Sequence, residues 1–367
     1  MKTTAAVLYT HKNPLIIEEL DLAAPQHGEV LVEIKAAGIC HSDLSVLQGV
    51  FSMPPLPCVP GHEGAGIVRE IGPGVDRVKV GDHVVLVWVP RCGQCYYCLH
   101  DQPYLCLLRD KTRAGAMPDG THRLTKEGKP IFNMVGVGSF NRFNVISQTC
   151  LLPIDHDIPF EIAALVGCGV MTGVGAVINT ARVRPGSSVA VLGIGGVGVN
   201  VIQGAVLAGA TKIIAIDVLD SKLEIADRFG ATHTINADSP DIQATVMELT
   251  GGIGVDYSFE MVGLARTAQL ASSLIRRGGT TVFVGLSTIE EKLAMPIPEL
   301  LVMEKKLLGC YYGSSNLNTD LITLLDLYKL GRLKVAELIT ARYTLEEINQ
   351  GFDDLISGKN LRGVVLM

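Results

Sequence analysis

The sequence predicts an α/β chain built as a β-rich domain interrupted by a doubly wound parallel sheet. Its 367 residues exceed the size at which single cores usually stop growing, so two domains are expected. Over residues 1 to about 150, short Val- and Ile-rich runs alternate with Gly, Pro and Asp turns, the signature of β-structure. From about 171 to 309, continuous apolar runs alternate with amphipathic segments, as parallel strands covered by helices on both faces require. The expected organisation is a first domain over 1–170, a second over 171–309, and a return to the first over 310–367.

In chain order, "AAVLYT", "GEVLVEIKAAGI", "GAGIVREIG" and "GDHVVLVWV" read as strands of the first domain. "SSVAVLGIG" then reads as a strand, "GVNVIQGAVLAGA" as a helix, "KIIAID" as a strand and "SKLEIADRFGA" as a helix. Further strands are expected at "VDYSFEMVG" and "GTTVFVGL", and "LRGVVLM" closes the chain as a last strand.

Composition excludes several partners. The net charge of -6, with no basic block, argues against nucleic acid and anionic membranes. The N-terminal stretch lacks the apolar core and cleavage site of a secretory signal. The longest apolar run, Ile162 to Ile178, carries four glycines and reads as shorter than the roughly 20 residues a membrane span needs. Nine cysteines without such a signal point to a reducing compartment, and the expectation is a cytoplasmic protein.

"VLGIGGVGVN" holds a G-x-G-x-x-G turn as Gly193, Gly195 and Gly198. It follows an apolar strand, opens a helix, and Asp217 ends the next strand nineteen residues after Gly198. Gly193 permits the tight turn, and Gly195 lets backbone amides, including those of Gly196 and Val197, approach a pyrophosphate. Gly198 allows close helix–strand packing, and Asp217 accepts from the adenosine ribose hydroxyls. An acidic residue there, followed by Val218 and Leu219 rather than a cation, disfavours a 2'-phosphate. NAD is therefore expected over NADP.

Cys92, Cys95, Cys98 and Cys106 follow a C-x2-C-x2-C-x7-C spacing within the loop 91–107. Four thiolates complete a tetrahedral zinc shell and leave no position for substrate, so this site is read as structural. An iron–sulfur cluster is the competing occupant of such a spacing. A catalytic metal needs an open shell, and the cysteines and histidine outside the loop that offer one are Cys40 in "GICHSD", His62 beside Glu63 in "PGHEGAG", and Cys168 in "GCGVMTG". Each has an ordinary alternative as a buried thiol or a backbone-capping imidazole, and spacing alone does not join them.

Taken in this order, the three segments, the four-cysteine loop and the glycine turn with its Asp resemble the zinc-dependent medium-chain alcohol dehydrogenases over essentially the whole chain. That resemblance implies a GroES-like catalytic domain interrupted by a Rossmann domain, with the active site in the cleft between them. It implies two zinc ions per chain, the catalytic one on Cys40, His62 and Cys168. Glu63 matches an acidic neighbour of that metal, Asp43 a carboxylate orienting the ligating histidine, and Ser42 the hydroxyl that takes the alcohol proton. His41 and Arg362 match groups near the cofactor pyrophosphate, Lys222 one near the ribose, and Thr172 a residue packed on the nicotinamide. Trp88, Phe140 and Leu286 fall in segments that line the family's substrate pocket.

The implied reaction is NAD-dependent oxidation of a primary alcohol, of aryl or medium-chain type, to its aldehyde. Two branches stay open beside it: an S-(hydroxymethyl)thiol dehydrogenase, and a nicotinoprotein that keeps its NAD bound. Outside this class stands an NAD-binding protein without catalysis. One departure is Ser45, where many relatives carry a histidine that ends the proton relay. Residues 284 to 309 match the family's dimer strand and helix, so a homodimer is expected, with a tetramer as alternative. Cys58, Cys150 and Cys310 are read as packing residues.

Overall fold

The computed structural model describes residues 1–51 and 53–367. The chain divides into two compact units, Met1–Cys168 with Asn316–Leu330 and Val335–Met367, and Gly169–Ser315 with Gly331–Lys334.

The first unit is built on two sheets. In the larger, of seven strands, the long strand Glu29–Ile39 is central. It pairs antiparallel with Glu63–Ile71, with Phe143–Ser147 and, at its far end, with the C-terminal strand Arg362–Leu366. Nine of its eleven residues are buried, which explains why "EVLVEIKAAGI" is nearly continuous in apolar and small side chains rather than alternating. One core gathers Val30, Ile34, Leu86 and Ile146; a second gathers Leu20, Val46, Phe140 and Phe352. Cys58 and Cys150 are fully buried in these cores.

Two local features set the candidate ligands of this unit. The strand Glu29–Ile39 ends at Cys40, whose extended backbone caps the helix His41–Leu47, with Asp43 closing a capping box back to the Cys40 amide. Cys168 lies in Val166–Val170, a π-helical segment inside the helical run Phe160–Ala181. π-segments of this kind are often found at functional sites because the extra residue turns a side chain out of register. The run is a correction to the sequence reading. Its 22 residues are long and apolar enough to cross a membrane, because helix extends past both ends of Ile162–Ile178. Of its most apolar window, 83% is buried inside the protein, the setting of a core helix.

The second unit holds six parallel strands in the spatial order His233–Asn236, Lys212–Asp217, Ser188–Leu192, Val255–Glu260, Ile275–Phe283, Lys306–Gly309. In chain order this is 3-2-1-4-5-6, the doubly wound arrangement whose ligand crevice opens where the order reverses, beside Ser188–Leu192. The helices Gly198–Leu207 and Asp220–Phe229 follow the first two strands. Asp256 ties three strands together by accepting from the Ser188 amide (2.7 Å) and hydroxyl (2.9 Å) and from Arg276 Nε (2.7 Å).

Candidate active site and metal centres

Within the first unit the fold gathers Cys40, His62, Glu63 and Cys168. Cys168 Sγ lies 3.3 Å from His62 Nε2, and one ligand atom from each of Cys40, His62 and Glu63 falls within 4.8 Å of the others. Sulfur and nitrogen bound to one tetrahedral zinc lie ~3.6 Å apart, so the thiol–imidazole spacing is that of shared ligands. All four residues are buried, none more than 9% exposed.

Asp43, wholly buried, organises the cluster from below. Its Oδ1 accepts from His62 Nδ1 (2.8 Å) and from the Gly61 amide (3.1 Å), and its Oδ2 from the Cys40 amide (3.1 Å). With Nδ1–H committed to Asp43, His62 presents the Nε2 lone pair to the cluster. Electrostatics follow the same contacts. Burial alone lowers the His62 pKa, yet Asp43 and Cys40 hold it well above the ordinary range. Cys168 donates to Cys40, which drops the Cys40 thiol well below its usual range and pushes Cys168 well up. A donor set of two soft thiols and an imidazole gives up its protons to a borderline-soft divalent cation.

Glu63 supplies a further sign of an absent partner. Its Oε2 is paired with Arg362 Nη2, whereas Oε1 is buried without a hydrogen bond. Burial raises the Glu63 carboxyl to about 7 even beside that guanidinium. A buried acceptor left open next to three metal-ligand side chains fits a cation in the cluster.

The four cysteines of the loop form a second centre. Cys92 and Cys98 sulfurs are 3.8 Å apart, and those of Cys95 and Cys106 are 3.9 Å apart. Four sulfurs ~2.3 Å from one tetrahedral ion lie ~3.8 Å from each other. An iron–sulfur cluster, with several irons between its cysteines, would hold them farther apart, so the spacing selects a single ion. Backbone amides of Cys95 (3.3 Å) and Gln94 (3.5 Å) point at Cys92 Sγ, as a thiolate requires.

In the second unit, Gly193 takes a φ of +95°, and a Cβ on Gly198 would meet the Gly193 carbonyl at 2.0 Å. Both positions therefore exclude side chains. A Cβ on Gly195 would meet nothing within 4 Å, leaving a cradle open above the turn. Asp217 is buried at the end of its strand, its oxygens accepting from the Ile194 amide (2.6 Å) and the Leu219 amide (3.0 Å). Each oxygen keeps a second lone pair for a ligand hydroxyl. This is a turn that fits a dinucleotide pyrophosphate and ribose.

Residues 26–156 match the model of the alcohol dehydrogenase GroES-like domain, and residues 196–329 that of the zinc-binding dehydrogenase domain. The chain is 42% identical to the NDMA-dependent alcohol dehydrogenase of Amycolatopsis methanolica, over all of this chain and 99% of that one. It belongs to the zinc-dependent alcohol dehydrogenase family. It is also 40% identical, over the full length of both chains, to the S-(hydroxymethyl)glutathione dehydrogenase of Synechocystis. Among solved structures, benzyl alcohol dehydrogenase from Acinetobacter calcoaceticus superposes with a TM-score of 0.94 at 32% identity, covering 100% of this chain and 99% of that one.

The Ser42 hydroxyl lies 3.7 Å from Cys40 Sγ and is half-buried; His41 is exposed. Trp88 stands edge-on to His62, ring centroids 6.2 Å apart at 87°. Phe140 is fully buried against Phe352 in the core. Arg362, expected beside the pyrophosphate, is only 5% exposed and spends its charge on Glu63, because a buried carboxylate demands a countercharge. In the second unit Thr172 and Lys222 are half-buried, and Leu286 is 56% exposed. Cys310 is half-buried and accepts from Thr180 Oγ1 (3.3 Å).

Two residues escaped the sequence reading. Glu260 Oε1 accepts from Val262 N (2.8 Å), Gly263 N (2.9 Å) and Thr267 Oγ1 (2.7 Å), which fixes the loop packed on Gly193. Asn200 Nδ2 donates to the Gly196 carbonyl (2.7 Å), pinning the glycine turn from its own helix. The only sequence signal for Glu260 is a charged residue ending an apolar strand.

Proposed function

We propose that this chain oxidises a primary alcohol, of aryl or medium-chain type, reversibly to its aldehyde with NAD. In this reading Cys40, His62 and Cys168 hold a catalytic zinc and the four-cysteine loop a structural one. The observation that carries the proposal is the buried convergence of two thiols and an Asp43-oriented imidazole, a three-ligand set that leaves a fourth position open. Zinc in such a set supplies Lewis acidity, the effect that brings bound water from a pKa of about 15.7 to about 7. A nicotinamide dinucleotide supplies the hydride acceptor.

The chain's own residues do the rest. Ser42, beside Cys40, takes the alcohol proton. Asp43 keeps the His62 tautomer fixed and the Cys40 amide in place. Glu63, with its free oxygen and a carboxyl near neutrality, steadies exchange at the open position while Arg362 balances its charge. Trp88 forms a wall that keeps water from the imidazole. The amides of Gly195, Gly196 and Val197 receive the pyrophosphate, and Asp217, helped by Lys222, the adenosine ribose. Ser45 donates to the His41 carbonyl (2.9 Å) and leaves the proton to depart through water.

A homodimer acting in the cytoplasm completes the reading. Ile297, Leu301 and Val302 are 75–76% exposed. They precede Lys306–Gly309, the edge strand of the parallel sheet. Such faces are normally covered, and the free cysteines suit a reducing compartment.

A second reading, a nicotinoprotein with NAD held through turnover, is supported by the similarity to the NDMA-dependent relative. The test is NADH formation against a panel of primary, secondary, aryl and hydroxymethyl-thiol alcohols, repeated with an artificial electron acceptor. Turnover with added NAD supports the main reading, and its rank order sets the substrate. Turnover only with the acceptor selects the nicotinoprotein. Silence in both arms contradicts a dehydrogenase.

A further inference from the structure

The first unit contains a cavity of about 370 Å³ away from the metal cluster, between the residues around the strand Leu151–Ile154 and the start of the helix Leu317–Lys329. Arg77 and Arg91 both line it, and neither guanidinium has a carboxylate partner among the described residues. Backbone bonds place the Arg77 guanidinium and the Arg91 main chain. Arg77 Nη1 donates to the Arg91 carbonyl (2.9 Å), and the Arg91 amide donates to the Thr149 carbonyl (3.0 Å). Two guanidiniums on one cavity with no carboxylate beside them offer a place for an anion, even with the Cys98 thiol of the four-cysteine loop acting on Arg91.

The rest of the lining says which anion. Val87, Leu151 and Leu317 are buried apolar walls, and Ile322 stands at the rim, 37% exposed. Leu317 and Asn318 open the 13-residue helix at the cavity, and Asp320 in that first turn already accepts from the Asn316 amide (2.9 Å), so the positive charge comes from the arginines. The volume falls within the range of small-ligand sites, about 300–1,000 Å³. Guanidinium forks match planar oxyanions in a bidentate manner, but bare inorganic phosphate would leave the apolar walls uncovered.

We propose that this cavity binds a small carboxylate with an apolar body, its carboxylate between Arg77 and Arg91 and its hydrocarbon part against Val87, Leu151, Leu317 and Ile322. The site is separate from the alcohol reaction and from the Cys40–His62–Cys168 cluster, while Arg91 adjoins Cys92 of the four-cysteine loop.

Isothermal titration of the zinc-loaded full chain with benzoate, hexanoate and inorganic phosphate tests it. The site predicts one saturable carboxylate site, with phosphate at least tenfold weaker. The variant Arg77→Gln/Arg91→Gln weakens benzoate at least tenfold. Ile322→Trp, which fills the cavity from the helix and keeps both arginines, does the same and decides the matter if the double variant fails to fold. Benzoate binding unchanged in either folded variant would mean a site elsewhere, such as the metal cluster, and would overturn the proposal. So would phosphate binding as tightly as benzoate, or no saturable binding at all.

Discussion

Replacing Asp43 by asparagine tests the support beneath the metal ligands. The carboxylate receives three N–H donors, from His62 (2.8 Å), Gly61 (3.1 Å) and Cys40 (3.1 Å), and is wholly buried. An amide offers one oxygen and one NH2. With its oxygen kept toward His62 and Gly61, the NH2 faces the Cys40 amide, donor against donor. A buried donor left without a partner costs about 1–3 kcal/mol. Loss of the charge also weakens the His62 bond, since charge-assisted hydrogen bonds are roughly twice as strong as neutral ones. Partners of metal-bound histidines are typically worth about 10–100-fold in metal affinity or activity, which is ~1.4–2.8 kcal/mol and agrees with the donor count. Chelator competition reads this directly, with the four-cysteine zinc as internal control. Asp43→Asn is expected to release one zinc per chain at 10–100-fold lower chelator while the other is unmoved, with kcat falling in parallel. Both zincs retained as in the parent, with unchanged kcat, would refute the role given to Asp43.

Gly195→Ala and Gly198→Ala separate ligand space from packing space. The first is expected to keep the parent Tm and weaken NAD binding at least tenfold by titration. The second, with its Cβ against the Gly193 carbonyl, is expected to lower Tm as well. Cys98→Ser is expected to lose one zinc by metal analysis and to make the loop 91–107 sensitive to limited proteolysis, while the Cys40 site keeps its metal. Asp256 predicts an acid limb. Burial raises its pKa, but bonds from Ser188 and Arg276 outweigh this and leave the folded value below 3.8. Its stabilisation is therefore complete above the unfolded value of about 3.9 and fades as pH falls through the folded one. The Tm difference between the parent and Asp256→Asn should accordingly shrink below about pH 4; a difference that persists there would show that the charge is not its source.

What the sequence made legible was local. The parallel strands announce themselves because burial on both faces leaves runs such as "KIIAID" without polar interruptions. The glycine turn and the four-cysteine loop are legible because each packs its chemistry into a few residues. The open metal cluster is not of this kind. Cys168 meets His62 across 106 residues and Arg362 meets Glu63 across 299, so only a known family pattern could join the ligands in advance. Even that pattern placed Arg362 by its expected ligand rather than by the buried carboxylate it neutralises. The short strand His233–Asn236 was missed because only one of its four residues is buried, which leaves almost no period to read. Glu260 was missed because nothing near it in sequence says that its carboxylate gathers the amides of its own following loop.

Two separate centres require that Cys40, His62 and Cys168 hold a metal of their own, distinct from that of the four-cysteine loop. Zinc per chain, measured on the purified parent and on Cys168→Ser, tests it most directly. Close to two are expected in the parent and one in the variant, with alcohol oxidation lost alongside. One zinc in both proteins would contradict it, leaving only the closed thiolate loop and no metal for the chemistry proposed.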